Sequence, residues 1–333
     1  MEFSESFGRT QSFTMIVVAS GLLYAASRTA VFALSRSDGS DPGRRAIAQW
    51  LPIASTVIAA VLLRRADIAV AVAIGTSVAC LTLAMGLATY VMPMKTLPDS
   101  RRAWPFVLPA ALLALMAGFS TCLTWWHALM MLALGGAILR VWRVSSREDH
   151  DSAPPLPSGQ TGLTLILALV LMGLGGYLAV TGDLACSANT RVISPGTIAA
   201  TILSPLLVLP MLSGASSVAQ AGRTGQAVTA LIATALLNLC ALLPIAILLW
   251  YPATSGWSLH SYRDFRAPWE SVHALPYAIA TWRIDTVILV VMGFSLVPVS
   301  IGRLTVGRTE SVLLMVGYAI YILLLTVFGA QLV

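Results

Sequence analysis

Leu209–Ser217, LPMLSGASS, sits deep inside a long apolar run, yet it carries a proline, a glycine and three serines. Leu51–Thr56, LPIAST, echoes it. The background decides what such interruptions mean. The 333 residues are 57% hydrophobic and only 10% charged, with a mean hydropathy of +0.84. A soluble core cannot hide that much apolar surface, so the chain reads as an all-α polytopic membrane protein. Pro52 and Pro210 are each expected to break a helix near mid-span, and in hydrocarbon such a break, with its row of hydroxyls, belongs where protein or a water-filled cavity covers it.

The net charge of +6 fits basic cytoplasmic loops. No block of basic residues interleaved with aromatics suggests nucleic acid. Cys80, Cys122 and Cys240 fall in apolar spans and Cys186 in an expected loop, which is neither a disulfide framework nor a zinc pattern. They read as small packing residues. Glu2, Glu5 and Arg9 do not make the basic start of a signal peptide, so the run that follows is expected to be a retained first helix.

At about 20 residues per crossing, ten spans are expected: 13–34, 46–63, 68–92, 103–121, 122–141, 162–181, 195–218, 226–250, 286–301 and 311–330. With the N-terminus outside, the cytoplasmic side collects 13 Lys and Arg, including Arg28 by snorkelling, and the outer side 7. The bias places both termini outside the cytoplasm, in the cell (inner) membrane. Residues 147–161, charged and then proline-rich, form a cytoplasmic linker between a first five-helix repeat, 1–146, and a second, 162–333. The connection Tyr251–Ile284 is rich in Trp and Tyr and is expected to rest on the outer interface, or to cover an outer opening.

Leu51–Gly86 aligns without a gap on Leu209–Pro244, with nine identical pairs, among them Pro52/Pro210, Ser55/Ser213, Arg65/Arg223 and Thr76/Thr234. Five spans per half is an odd number, so the second half enters the membrane upside down. Inverted repeats of this kind recur in transporters, with the site at the repeat interface. The candidate site residues are Pro52, Ser55, Thr56, Thr76 and Ser77 in one half, and Pro210, Ser213, Ser216, Ser217, Thr234 and Asn238 in the other. Helix kinks and close packing without a ligand are the plainer reading of the same residues.

At these motifs the chain resembles the calcium/cation antiporter superfamily, the sodium/calcium exchangers and their relatives. That resemblance implies ten spans in two inverted halves, each with a motif like GTSLPE followed by GSN and a further Asn. Leu51–Pro52 and Leu209–Pro210 keep the Leu-Pro, Gly75-Thr76-Ser77 stands where GSN would be, and Asn238 matches the later Asn, which Cys80 replaces in the first half. The glutamate that follows the proline and binds the cation in the family is Ile53 in one half and Met211 in the other. The acidic residues, Asp67, Asp183, Asp285 and Glu310 among them, are expected in loops or near span ends. A dehydrated divalent ion takes several oxygen ligands, usually with carboxylates, so calcium exchange is doubtful and no metal is assigned.

The expected function is a secondary transporter of exchanger fold with an uncharged site. Its partners are membrane lipid and a small ion or solute, and no cofactor is expected. Two alternatives stand beside it: a non-transporting scaffold, and a drug/metabolite-type exporter, which would keep both termini in the cytoplasm. An enzyme is not expected. The four histidines form no His-Glu-x-x-His pair, and no Gly-x-Ser-x-Gly elbow occurs.

Overall fold

The computed structural model describes residues 8–37, 42–94, 104–119, 122–145, 158–190, 193–255, 273–277, 279–302 and 305–329. Helix α1 is Arg9–Ser37 and α2 is Pro42–Leu62. Helix α3, Ala66–Val91, passes through a π turn at Cys80–Ala84. Helices α4, α5 and α6 are Val107–Gly118, Trp125–Ser145 and Ser158–Thr190. Helix α7, Pro195–Gln220, holds a π turn at Ala199–Leu203. Helix α8 runs from Thr224–Leu237 through a π turn, Asn238–Leu242, into Leu243–Ser255. Helices α9 and α10 are Ile279–Ser300 and Arg308–Gly329. The short strands β1, Cys122–Leu123, and β2, Leu275–Pro276, pair antiparallel at one end of the bundle.

Among the described residues, seven helices are long and apolar enough to cross a membrane, and three shorter apolar helices, Ile47–Leu62, Trp104–Gly118 and Trp125–Val141, accompany them. The chain is a multi-pass membrane protein. Burial sorts the helices: 89% of the apolar stretch of α3 and 78% of that of α8 is buried, against 39% of α1, 33% of α6 and 22% of α10. The central position therefore belongs to α3 and α8, and the outer helices turn apolar side chains such as Phe32, Ile166 and Leu323 to lipid. Helices α1 and α6 pack along each other. A methyl at Gly175 would press on Leu23, and one at Gly182 on Ile16.

The two aligned segments share backbone detail that residue identity alone does not convey. The turn between α2 and α3 puts Arg64 at φ 59°, and the turn between α7 and α8 puts Gly222 at φ 80°. Around Arg64, the N–H groups of Leu63, Arg64 and Arg65 donate to the carbonyls of Ala59, Val61 and Ala60. Around Gly222, those of Ala221, Gly222 and Arg223 donate to Ser217, Ala219 and Val218. Each donor and acceptor in one turn is the aligned partner of its counterpart in the other. The π turns at Cys80–Ala84 and Asn238–Leu242 are aligned partners too.

Several expectations need correction. The prolines do not break their helices: α2 runs on through Pro52 and α7 through Pro210, both buried. The irregularities lie instead at the π turns. Pro52 has no N–H for the carbonyl of Ala48. Ser27 of α1 supplies the missing donor, its hydroxyl 3.2 Å from that oxygen. Helix α6 continues to Thr190, so Cys186 is helical rather than in a loop. Helix α9 begins at Ile279 rather than near Thr286. The expected interfacial segment therefore reduces to residues mostly outside the described ones, while Tyr277 and Trp282 are buried. The boundary expected between spans four and five holds β1, and α4 ends at Gly118. Residues 147–157 of the linker lie outside the described residues.

Candidate functional site

A hydrogen-bonded bridge crosses the bundle between α2, α3 and α8. The indole Nε1–H of Trp50 donates to Asn238 Oδ1 at 2.8 Å, and Asn238 Nδ2–H donates to Thr76 Oγ1 at 2.9 Å. Thr76 passes its own hydroxyl proton to the Val72 carbonyl at 2.6 Å. Indole only donates, so the asparagine amide has one consistent orientation. Thr76 and Asn238 are fully buried. Beside them Ser77 donates to Ala73 O at 2.8 Å and lies 3.4 Å from Ala235 O, the carbonyl of its aligned partner on α8. Asn238 opens the π turn of α8.

The remaining predicted residues form a second tier. Ser55 and Thr56 both donate to Pro52 O at 2.9 Å, Ser213 to Pro210 O at 2.8 Å and Thr234 to Ala230 O at 3.0 Å. Each hydroxyl proton is thus used within its own helix, which leaves oxygen lone pairs facing outward. Thr56 and Thr234 are buried, and Ser55, Ser213 and Ser216 half-buried. Ser217 is exposed and bonds only back to Gly214 O at 2.8 Å, so the structure does not gather it with the others. Ile53 and Met211 are buried in the apolar core. The sequence reading missed Trp50 and Gln49. The indole of Trp50 completes the bridge, and the amide of Gln49 lies directly over Gly214 of α7, where a methyl would collide with it. Their signal was a polar pair one turn before Pro52 on the same helix.

Two carboxylates expected near water are buried in helices. Asp183 of α6 has neither oxygen hydrogen-bonded to any described residue, and its electrostatic neighbours are Asp67 and Arg65. Asp67 holds Arg65 in a two-pronged pair at 3.1 and 2.8 Å. That hydrogen bond, more than the charge of Asp67 or Asp183, raises the guanidinium above its ordinary range. Asp285 of α9 accepts from Tyr321 at 2.9 Å and from Tyr277 at 3.3 Å. The central bridge itself carries no formal charge. Among the described residues no group of three or more His, Cys, Asp or Glu is placed to hold a metal.

No protein-family model matches the sequence, and no curated protein is similar to it. Solved structures are similar in fold. The H+/Ca2+ exchanger CAX superimposes with a TM-score of 0.70 at 14% identity, covering 96% of this chain and 88% of that one. YfkE gives 0.63 at 13% identity, covering 94% and 89%. The sodium-calcium exchanger NCX_Mj, soaked with 2.5 mM Na+ and 0.1 mM Ca2+, gives 0.61 at 17% identity, covering 94% and 97%. The chain shares its fold with these proteins over 94–96% of its length.

Proposed function

We propose that the chain is a secondary transporter that works by alternating access, built as two inverted repeats of five spans with both termini outside the cytoplasm. The observation that carries this reading is the exchanger fold over 96% of the chain. The matched turns at Arg64 and Gly222 and the aligned π turns support the repeat. The site proposed is the contact between α3 and α8, with Thr76, Ser77 and Asn238 at its centre and Ser55, Thr56, Ser213, Ser216 and Thr234 around it. Ile53 and Met211 occupy the places where the resemblance puts cation-binding glutamates. A neutral oxygen set leaves a divalent charge uncompensated in low dielectric. A monovalent cation or a neutral solute suits it better than calcium.

The test is flux in proteoliposomes under imposed sodium, proton and calcium gradients. Uptake driven by a sodium or proton gradient, with calcium ineffective, is the expected result. Absence of flux under all three gradients, with a stoichiometric partner protein co-purifying, favours a non-transporting scaffold instead.

A further inference from the structure

The carboxyl group of Asp285 is enclosed and has no basic partner among the described residues. It lies near the start of α9 and is 3% exposed. Each oxygen takes one phenol: Tyr321 donates to Oδ1 and Tyr277 to Oδ2. Burial, and after it the charge of Asp285, holds the Tyr277 phenol well above its ordinary range, so Tyr277 remains the donor. A cavity of about 250 Å³ opens beside the carboxyl, lined in part by Asp67, Ser194, Gly196, Tyr277, Thr281 and Asp285 itself.

The charged surroundings are few. Asp67 is on the α3 wall of that cavity, tied to Arg65. Arg283 is two residues away on α9 and exposed. Helix α4, packed along α9, contributes no titratable side chain between Val107 and Gly118. On α10, one turn before Tyr321, Tyr318 is 5% exposed, with its ring 6.0 Å from that of Tyr321 and its Oη without a hydrogen-bond partner among the described residues. Helix α10 rests on the π turn of α3. A polar file of Asp285, Tyr321 and Tyr318 therefore leads from the cavity to the helix that carries Thr76.

We propose that Asp285 is a reversible proton-binding site fed from this cavity, with Tyr277 and Tyr321 as its fixed hydrogen-bond donors. The carboxylate takes a proton from hydronium in the cavity and leaves water behind; no other bond changes. A metal ion fits this place less well, because a dehydrated cation needs several oxygens and both carboxylate oxygens already accept phenol protons. A proton needs one water in reach. As the coupling ion of the transport cycle, the proton rests on the reading under Proposed function; its binding to Asp285 does not.

Infrared difference spectra of the full chain in liposomes, recorded on acidification, separate the two. With 14 acidic side chains in the chain the diagnostic is a difference between variants: one C=O component of a protonated carboxylic acid is expected in the wild type and in Asp183→Asn and is missing in Asp285→Asn. In Tyr321→Phe a donor that favours the charged form is gone, so the titration midpoint is expected to rise by about one pH unit. Acid bands identical in the wild type and Asp285→Asn, or a midpoint of that component unmoved in Tyr321→Phe, overturn the proposal. Proton-driven flux is the second arm. A band that meets these expectations in a protein without flux supports the proton site and overturns the transport reading alone.

Discussion

Replacing Asn238 by Ala removes the two hydrogen bonds by which its side chain ties α8 to α2 and α3. Interhelical hydrogen bonds within a membrane average about 0.6 kcal/mol and reach about 1.7. The two bonds to Trp50 and Thr76 together are thus worth roughly 1–3 kcal/mol. Trp50 is half-buried, so its indole N–H adds only a fraction of the cost of a fully buried orphan donor. Thr76 loses little, because its hydroxyl still donates to Val72. The expected loss for Asn238→Ala is about 2 kcal/mol, and for Trp50→Phe about 1 kcal/mol. The two side chains touch, so the double variant should lose less than the sum, with a coupling of about 0.6–1.7 kcal/mol. Equilibrium unfolding in mixed micelles with increasing SDS measures all three variants against the wild type. Additivity within about 0.3 kcal/mol would show that Trp50 and Asn238 do not bond, and the bridge between α2 and α8 would fall with that result.

Three other perturbations test separate links. Ser27→Ala orphans the Ala48 carbonyl and should cost about 1 kcal/mol; in a Pro52→Ala background, where residue 52 regains its N–H, the same change should cost close to nothing, as read by the same unfolding assay. Gly222→Ala should destabilise by about 1 kcal/mol through the left-handed backbone alone, since nothing crowds that position, whereas Arg64→Gly should be neutral or stabilise by up to about 1 kcal/mol. Installing Glu at both Ile53 and Met211 should lower the melting temperature in chelator and make it rise on adding calcium, while the wild type stays insensitive to calcium; a calcium shift in the wild type would remove the basis for a neutral site.

Much of the architecture was legible because membrane helices advertise themselves by length and apolarity, and because the Leu-Pro-x-x-Ser segments repeat. The position of the irregular backbone was not. Proline signals a lost N–H, but the sequence does not show that Ser27, 21 residues away on another helix, replaces the missing donor. The π turns have no residue signature; Cys80–Ala84 and Asn238–Leu242 differ in composition and are related only through the alignment. Within the candidate site, Thr76 and Asn238 were legible as polar residues in apolar runs. Trp50 was hidden because tryptophan near a span end normally reads as an interfacial anchor. The burial of Asp183 and Asp285 was missed for one reason: hydropathy ends a span at its first acidic residue, whereas α6 and α9 extend past theirs. Tyr277 and Tyr321, which make that burial tolerable for Asp285, come from other elements.

A neutral bridge differs physically from a pair of facing carboxylates. Two carboxylates in low dielectric repel one another when empty, so an ion is needed to draw their helices together. Here Trp50, Asn238 and Thr76 bond to one another directly, and α3 and α8 are in contact. A solute that enters between Thr76 and Asn238 must first separate them. At about 0.6–1.7 kcal/mol for that bond, the intrinsic affinity falls by a factor of about 3–18. Thr76→Val removes the acceptor and with it the bond, so a solute that makes no contact with the Thr76 hydroxyl should bind more tightly to that variant by the same factor. One that uses the hydroxyl as a ligand should bind less well. The sign of the change therefore reports whether Thr76 holds the two helices together or holds the substrate.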